Sequence, residues 1–596
     1  MILGRLQHHS NREKYPLYEY ENTTEIEERV AENIATKTIW AADFETTTIP
    51  NLEKDGEVRV YLWSLVSSDL TQEFYGFEIE TFLDKIKELK CDIVFFHNLA
   101  FDGSFILSYL SSHNYRYELD YDCVVDEMNN WYQIQINDLD TGHSIKIWDS
   151  LKKFPGQSVK SLAKLYNFPD KKAPPYFDRY IPKDYIPTPD EIEYCLQDSR
   201  IVANAIHKEW EKGHKSLTLS ADAFTDVKKS LGGFAKWRHY MPKLSKRLDA
   251  WIRDSYKGGW TYCNPIYQNK ELFGVKVYDV NSLYPYVMKF CELPYGVPVA
   301  REPFDWELYI IRFKTSFRLK EGYLPTIQIK NNFRFDETEY LTDSKGEVEL
   351  CLTSVDYELF LEHYDVDYIK DPFYLSFEKK VGLLADYIDY HMANKIDADL
   401  SGNKALRYLS KRYMNSPYGK TGMRPNRINK LPYLDEDGVL RFVSMETVND
   451  PIYVPYAAFV TAQARNITIR AAQANYDNFI YADTDSIHIL GEVKDINIHP
   501  TELGAWKCEG DFEKGKYLRA KTYIHGDINN NIIEIKCAGM PVEVKEKVEW
   551  KDFKIGAKFD GKMMKKMVKG GCVLVPTTFK IKEYSVYELA EAWNMV

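Results

Sequence analysis

Twice in this chain a pair of carboxylates stands two residues apart at the end of an apolar run: Asp43 and Glu45 in TIWAADFETTTIP (38–50), and Asp483 and Asp485 in FIYADTDSIHIL (479–490). Such runs read as strands, and a spacing of two puts both carboxylates of a pair on the same side of the strand. Like charges held that close are costly unless cations join them. A fold that keeps both pairs must deliver strand ends to a cleft, and must do so twice.

Further acids extend each set. IVFFHNLAFDGSFI (93–106) repeats the form of a buried run ending in polar residues and closes on Asp102. Thr188-Pro189-Asp190-Glu191 predicts a helix start, with Thr as cap, Pro at the first helical position and Glu three residues after the cap. Ile192, Cys195, Leu196, Val202 and Ile206 follow at helical spacing, so Tyr194 and Asp198, four apart, share another face. Four carboxylates, Asp43, Glu45, Asp102 and Asp198, suit hard divalent ions such as magnesium or manganese. Two such ions about 3.5 to 4 Å apart activate a water and stabilise a leaving phosphodiester oxygen, and Tyr194 is placed to orient that water. This set reads as a nuclease.

Downstream, the strand GVKVYDV (274–280) carries Asp279 and breaks at Asn281-Ser282-Leu283-Tyr284-Pro285, while 479–490 reads as a hairpin around Asp483 and Asp485. Between them KALRYLSKRYMNSPYGK (404–420) is helical, with Lys404, Arg407, Lys411 and Asn415 on one face. From Lys404 to Lys430 there are eight positive residues and no acid. A charge run is most often a solvated face. Opposite three aspartates, this one suits a triphosphate held against metal-bound oxygens.

Composition narrows the class. A chain of 596 residues has room for roughly four domains. No apolar run nears the ~18 to 20 residues of a membrane span, and the start has no signal-peptide core, so the expectation is a soluble, unexported protein. Nine cysteines without a C-x-x-C pair argue against a disulfide framework or a four-cysteine metal knuckle. The 44 tyrosines serve either packing or base stacking.

The order DFETT, HNLAFDG, YCLQD, YKGGW, DVNSLYP, KRYMNSPYGK, YADTDS and KTY resembles the family B DNA polymerases, and more narrowly their protein-primed branch from small tailed phages. The resemblance implies a multidomain α+β and α/β protein: an RNase H-like 3′-5′ exonuclease followed by a right-hand polymerase of palm, fingers and thumb with two terminal-protein-region insertions. It divides the chain into an acidic extension (1–37), exonuclease (38–220), first part of the palm (221–290), first insertion (291–385), fingers (386–422), second insertion (423–450), second part of the palm (451–537), and thumb with C-terminal tail (538–596). Within the first insertion, LKEGYLPTIQIK (319–330) resembles the segment that contacts the terminal protein. The second resembles the loop that encircles downstream template and permits strand displacement.

Carried over by motif, Asp43, Glu45, Asp102 and Asp198 are exonuclease metal ligands and Tyr194 orients the water. Thr46, Asn98, Phe101, Ser150 and Leu151 hold the frayed primer end, and Lys172 or its neighbour Lys171 touches the scissile phosphate. Asp279 and Asp485 bind the two polymerase metals with Asp483 beside them; Arg407 and Lys411 neutralise the triphosphate; Tyr284, Asn415 and Tyr418 shape the sugar and base pocket. A ring over the sugar leaves no room for a 2′-hydroxyl, so Tyr284 selects deoxynucleotides. Tyr256, Gly258 and Gly259 hold template between the sites, the glycines letting backbone approach phosphate. Lys521 and Tyr523 grip the primer. The implied cofactors are two Mg2+ per site, with Mn2+ able to substitute. The implied partners are primer-template DNA, dNTPs, the terminal protein with its priming hydroxyl, and phage single-strand and double-strand DNA-binding proteins, for a monomer in the cytoplasm of the infected bacterium.

Three departures stand out. Pro417 replaces the usual Leu, which predicts that the helix ends early at Ser416. Phe177 sits at a usual Tyr, and residues 11–32, with seven acids against three bases, match nothing in the family. The net charge of −12 is offset locally by nine Lys against four acids over 545–569 and six Lys against one acid over 152–172, which predicts a basic channel inside an acidic exterior and salt-sensitive binding. Two rival readings are a conventional family B enzyme with a nucleic-acid primer, and a nuclease or strand-binding protein with a degenerate palm.

Overall fold

The computed structural model describes residues 37–47, 58–169, 181–328 and 340–582, so the acidic extension, Lys171, Lys172 and Phe177 lie outside the described residues. The N-terminal half is built on a seven-stranded mixed sheet. Its order is Glu73–Gly76, Val60–Ser67, Ile39–Thr46, Ile93–Phe96, His143–Asp149, Trp131–Asp138, Tyr121–Val125, and the pairs joining 39–46 to 93–96 and 93–96 to 143–149 are parallel. Parallel strands need helical crossovers that bury both faces. Helix Pro189–Glu211 supplies one cover across strands 39–46 and 60–67, starting at Thr188 with the predicted capping box to Glu191. Helix Leu99–Ser112 covers the other face. This is the RNase H-like layer that the resemblance implies.

The segment 93–106 departs from expectation. Its strand stops at Phe96 and Asp102 sits in the first turn of a helix. The turn depends on Asn98, left-handed at φ 76°, and on Asp149, whose Oδ1 accepts the backbone N–H groups of Asn98, Leu99 and Leu151 at 3.0–3.3 Å. One carboxylate about fifty residues away thus caps two helix starts.

The second half is organised by a seven-stranded antiparallel sheet ordered Ile532–Cys537, Thr522–Gly526, Trp506–Arg519, Glu271–Val280, Ser486–Leu490, Phe479–Asp483, Thr261–Cys263. Helix Val454–Ala474 is buried behind it. Between strand 271–280 and this helix the chain makes a separate four-stranded sheet, ordered Glu292–Val299, Tyr364–Val381, Leu308–Leu319, Val348–Thr353, and then the helices Ala385–Leu400 and Lys404–Thr421.

Helix Lys404–Thr421 does not end at Ser416; it runs through Pro417. Proline removes the bond to the carbonyl four residues back. That carbonyl belongs to Tyr413, and it accepts the Tyr387 hydroxyl at 2.8 Å instead, so the freed acceptor stays satisfied.

Two hairpins close onto the N-terminal unit. Asn426–Leu434 with Leu440–Val448 sends Leu440 and Phe442 into its core, the Phe442 ring edge-on to Trp131 at 5.6 Å. Lys558–Val568 with Gly571–Lys580 adds buried Cys572 and Val573. A Cβ at Gly571 would lie 2.5 Å from the Phe105 ring, so only glycine permits this approach. Each large apolar side chain buried here contributes about 1.5–3 kcal/mol. Lys565, expected in a basic channel, is instead half-buried at this joint, donating to the Ala100 carbonyl at 2.5 Å and lying over Trp131.

Candidate active sites

The first acidic set forms on the N-terminal sheet. Asp43 and Glu45 lie on strand 39–46, and the helix packed across it brings Tyr194 and Asp198 to the same place. Ligand atoms of Asp43, Glu45 and Cys195 fall within 4.8 Å of one another. Asp102 is buried, and burial first, then Glu45 and Asp149, holds its carboxyl well above the usual carboxylate range. The Tyr194 hydroxyl is likewise pushed up by burial and then by Asp198, Glu45 and Asp43. Glu45 is thus the group common to both, acting on Asp102 and, with Asp43 and Asp198, on Tyr194.

Around this set, Thr46 continues the strand, while Asn98, Phe101 and Leu151 frame the turn held by Asp149. Ser150 differs from the expected primer contact: it is fully buried with its hydroxyl 2.8 Å from His97 Nδ1, bracing the strand end from within. Burial pushes His97 down to about 4, so the bond is between neutral groups. His97 opens the HNLAFDG motif without an assigned role and Asp149 stands outside the motifs quoted above, which is why neither was expected.

The second set assembles across three strands. Register pairs Asp279 with Ser486, and the Val280 N–H donates to the Asp485 carbonyl at 2.8 Å, so Asp279 and Asp485 meet at the sheet's end. Thr484, at φ 62°, makes the turn. Burial first and Asp485 next raise Asp279 to about 7, opposed by Lys411; burial also raises Asp485, again opposed by Lys411. Lys411 thus faces both carboxylates from the basic helix. Asp483 is engaged differently: its Oδ1 accepts from Lys521 Nζ at 3.1 Å and from the Thr261 hydroxyl at 3.0 Å. Lys521, left-handed at φ 56°, leads into Tyr523. A cavity of about 540 Å3 opens here, lined by Asp483, Asp485, Lys521, Tyr523 and two lysines outside any motif, Lys536 and Lys545.

The basic helix supplies the opposite wall. Tyr284 and Tyr418 stack at 4.4 Å and 28°. Asn415 donates from Nδ2 to the Lys411 carbonyl at 3.0 Å, and its buried Oδ1 has no hydrogen-bond partner among the described residues. Arg407 pairs with Asp399 at 2.6 Å. Lys395, on helix 385–400 and unmarked by any motif, donates to the Ser282 hydroxyl at 3.1 Å; burial first, then Arg407 and Lys411, lowers it.

The YKGGW loop lies against this site. Arg465 Nη1 donates to the Lys257 and Gly258 carbonyls at 2.8 and 2.6 Å, and Tyr256 packs on the core beside Gly422. A Cβ on Gly259 would sit 2.5 Å from Thr484 Oγ1, so this glycine also admits the Asp483–Asp485 turn, whereas Gly258 has open space.

Both donor sets fit divalent cations. The second offers only carboxylate oxygens, with Asp485 holding back the ionisation of Asp279 and Asp483 that of Asp485, the condition that a shared cation relieves. The first adds the Cys195 thiol beside its carboxylates, and burial keeps that thiol protonated.

Residues 178–500 match the model of "DNA polymerase type B, organellar and viral". Similar curated proteins include the DNA polymerases of Bacillus phage B103, 38% identical over 91% of this chain and 99% of the relative, Bacillus phage phi29, 36% over the same shares, and Streptococcus phage Cp-1, 35% over 91% and 98%. Among solved structures, phi29 DNA polymerase complexed with primer-template DNA and incoming nucleotide substrates superposes at a TM-score of 0.84, with 35% identity over 92% of this chain and all of that one. The curated relatives match 91% of the chain, and so the chain belongs to the type B DNA polymerases of viruses and organelles, alongside the DNA polymerases of these Bacillus and Streptococcus phages.

Proposed function

We propose that this DNA polymerase starts synthesis from the hydroxyl of a terminal protein, extends by strand displacement, and proofreads with a separate 3′-5′ exonuclease. The observation that carries the reading is the presence of two complete carboxylate sets on two different sheets, one of them faced by Lys411. In the first, Asp43, Glu45, Asp102 and Asp198 would hold Mg2+, or Mn2+ in its place, with Tyr194 orienting the water. In the second, Asp279 and Asp485 would hold the ions, which supply Lewis-acid stabilisation of phosphoryl oxygens. Lys411, Arg407 and Lys395 bind triphosphate charge, the Tyr284–Tyr418 pair closes over sugar and base, and Lys521 with Tyr523 holds the primer end. Thr46, Asn98, Phe101 and Leu151 would receive a frayed end, and Tyr256 with Gly258 the template.

The domain assignment draws support from the separate sheet of 291–385 and from the hairpin of 423–450, whose Leu440 and Phe442 seat it on the exonuclease. With the 558–580 hairpin it would enclose template, the basis for strand displacement. Among the described residues no helix is long and apolar enough to cross a membrane. Action in the host cytoplasm, with phage DNA-binding proteins, fits a phage replicase. The test is transfer of a labelled deoxynucleotide to a Ser, Thr or Tyr of a protein encoded beside this gene. Extension of a nucleic-acid primer with no transfer to any such protein would favour a conventionally primed enzyme.

Metal binding should also appear in stability. Asp279 ionises near pH 7 in the fold against 3.8 ordinarily, so the stability of its neutral form is full below about pH 4 and is lost as pH rises through about 7. A bound cation reverses this loss. Millimolar Mg2+ should therefore raise the melting temperature more at about pH 8 than at about pH 5.5, by about 2 °C or more. Equal shifts at both pH values would place the cation elsewhere.

A further inference from the structure

We infer that His214 is a positioning residue for nucleotide binding, holding the basic helix 404–421 to the exonuclease helix 189–211 through the hydroxyl of Tyr413. The inference rests on the nucleotide-binding role of that helix proposed above. Helix 189–211 carries Tyr194 and Asp198 near its start and Glu209 near its end. The chain then turns at Gly213 and returns His214 against the same helix, its N–H on the Glu209 carbonyl at 3.0 Å. The imidazole is gripped from both sides: Nδ1 lies 2.7 Å from Glu209 Oε2, and Nε2 lies 2.9 Å from Asp226 Oδ2 on helix Leu219–Ser230. Two carboxylates facing two ring nitrogens fix both as donors. Burial alone would depress this imidazole, but the bonds to Asp226 and Glu209 outweigh it and lift it to about 9, so the ring is a cation at working pH.

The Tyr413 oxygen stands 3.0 Å from the same Nδ1 and therefore accepts a share of its proton. Tyr413 is two residues beyond Lys411, on the opposite side of the helix. One face of the helix thus looks at Asp279 and Asp485 while its back is tied to the exonuclease helix. The tie falls where the helix is weakest: Pro417 leaves the Tyr413 carbonyl without its N–H, and Tyr387 supplies the replacement. On the other side, His391 stacks on the Tyr413 ring at 4.9 Å and 11°. Leu409 and Tyr413 also pack in one apolar cluster with Val202, Ile206 and Ala223, and a cavity of about 630 Å3 lined by His214, Glu209, Asp226, His391 and Tyr413 opens beside them, so the polar contact fixes the orientation of a pair that packing already holds together. None of these groups lines the cavity at Asp483 and Asp485; they act through the position of Lys411, Arg407 and Asn415.

The experiment uses the full chain on primer-template DNA. Tyr413→Phe, which removes one oxygen and keeps the ring, should raise KM for dNTP about fivefold and leave kcat within about twofold. Degradation of single strands without nucleotides should be unchanged. His214→Gln should raise KM alike, and the double variant no further than either single change. Lys411→Ala in the same assay tests the underlying reading: if it leaves KM unaltered, the nucleotide-binding helix itself is misassigned. If Lys411→Ala raises KM and Tyr413→Phe does not, or if Tyr413→Phe lowers kcat and exonuclease rate together, the positioning role is wrong. Tyr413→Phe decides alone if the His214 variant does not fold.

Discussion

Replacing Asp485 with Ala should cut nucleotide incorporation by about a thousandfold or more while leaving 3′ degradation of single strands within about twofold of the parent. The reason for the first effect is that no neighbour can take over. Asp279 would remain as a single carboxylate, and Asp483 is held by Lys521 and Thr261 rather than turned to the pair. The reason for the second is that the exonuclease acids stand on a different sheet. The substitution should also spare the fold. The turn is made by backbone groups, Asp485 N–H on the Asp483 carbonyl at 2.7 Å and Val280 N–H on the Asp485 carbonyl, which Ala keeps. Deleting a half-buried carboxylate that presses on Asp279 removes repulsion, so the melting temperature without metal should hold or rise while the Mg2+-induced shift at about pH 8 shrinks. Incorporation above about a tenth of the parent rate would mean that Asp279 and Asp483, not Asp279 and Asp485, form the site.

What could be read before folding was whatever depends on near neighbours. Thr188 and Glu191 close their capping box within four residues, so the helix that presents Tyr194 and Asp198 was legible to the residue. The hairpin of Asp483 and Asp485 was legible for the same reason, since its strands of five residues pair across a two-residue turn. Order of motifs then supplied the pairing of Asp279 with that hairpin, which alternation alone could not give.

The misses share one cause: a partner distant in sequence decides local structure. HNLAFDG was read as a strand end because nothing near it shows that Asp149 will accept its N–H groups and start a helix. Pro417 was read as a stop because the hydroxyl that rescues its orphaned carbonyl comes from Tyr387, thirty positions earlier. The approach of Gly259 to Thr484 was not read at all, because Thr484 is invisible from YKGGW. Lys395, Lys536 and Lys545 stand in segments without motif character, and only the fold brings them to a carboxylate site or the nucleotide wall.

The mirror experiment acts on the other sheet. Asp43→Ala should lower 3′-5′ degradation about a thousandfold or more and leave the rate of incorporation of correct nucleotides unchanged, while mismatched ends persist in the product. Asp43 lies mid-strand with Ser64 as its register partner, and Ala41 and Ala42 precede it on the same strand, so Ala is compatible with the sheet. Its carbonyl, which accepts from the buried Cys195 thiol at 3.6 Å, survives the change. Glu45, Asp102 and Asp198 remain, but Asp102 is pressed toward its neutral form by burial and by Glu45, and without Asp43 the set loses the negative charge that draws a second cation. Because Tyr194 feels Asp43 through space, its hydroxyl should also titrate closer to an ordinary tyrosine, a shift visible in ultraviolet absorbance. Loss of incorporation together with degradation, in a variant that still melts cooperatively, would show one shared site where two are assigned.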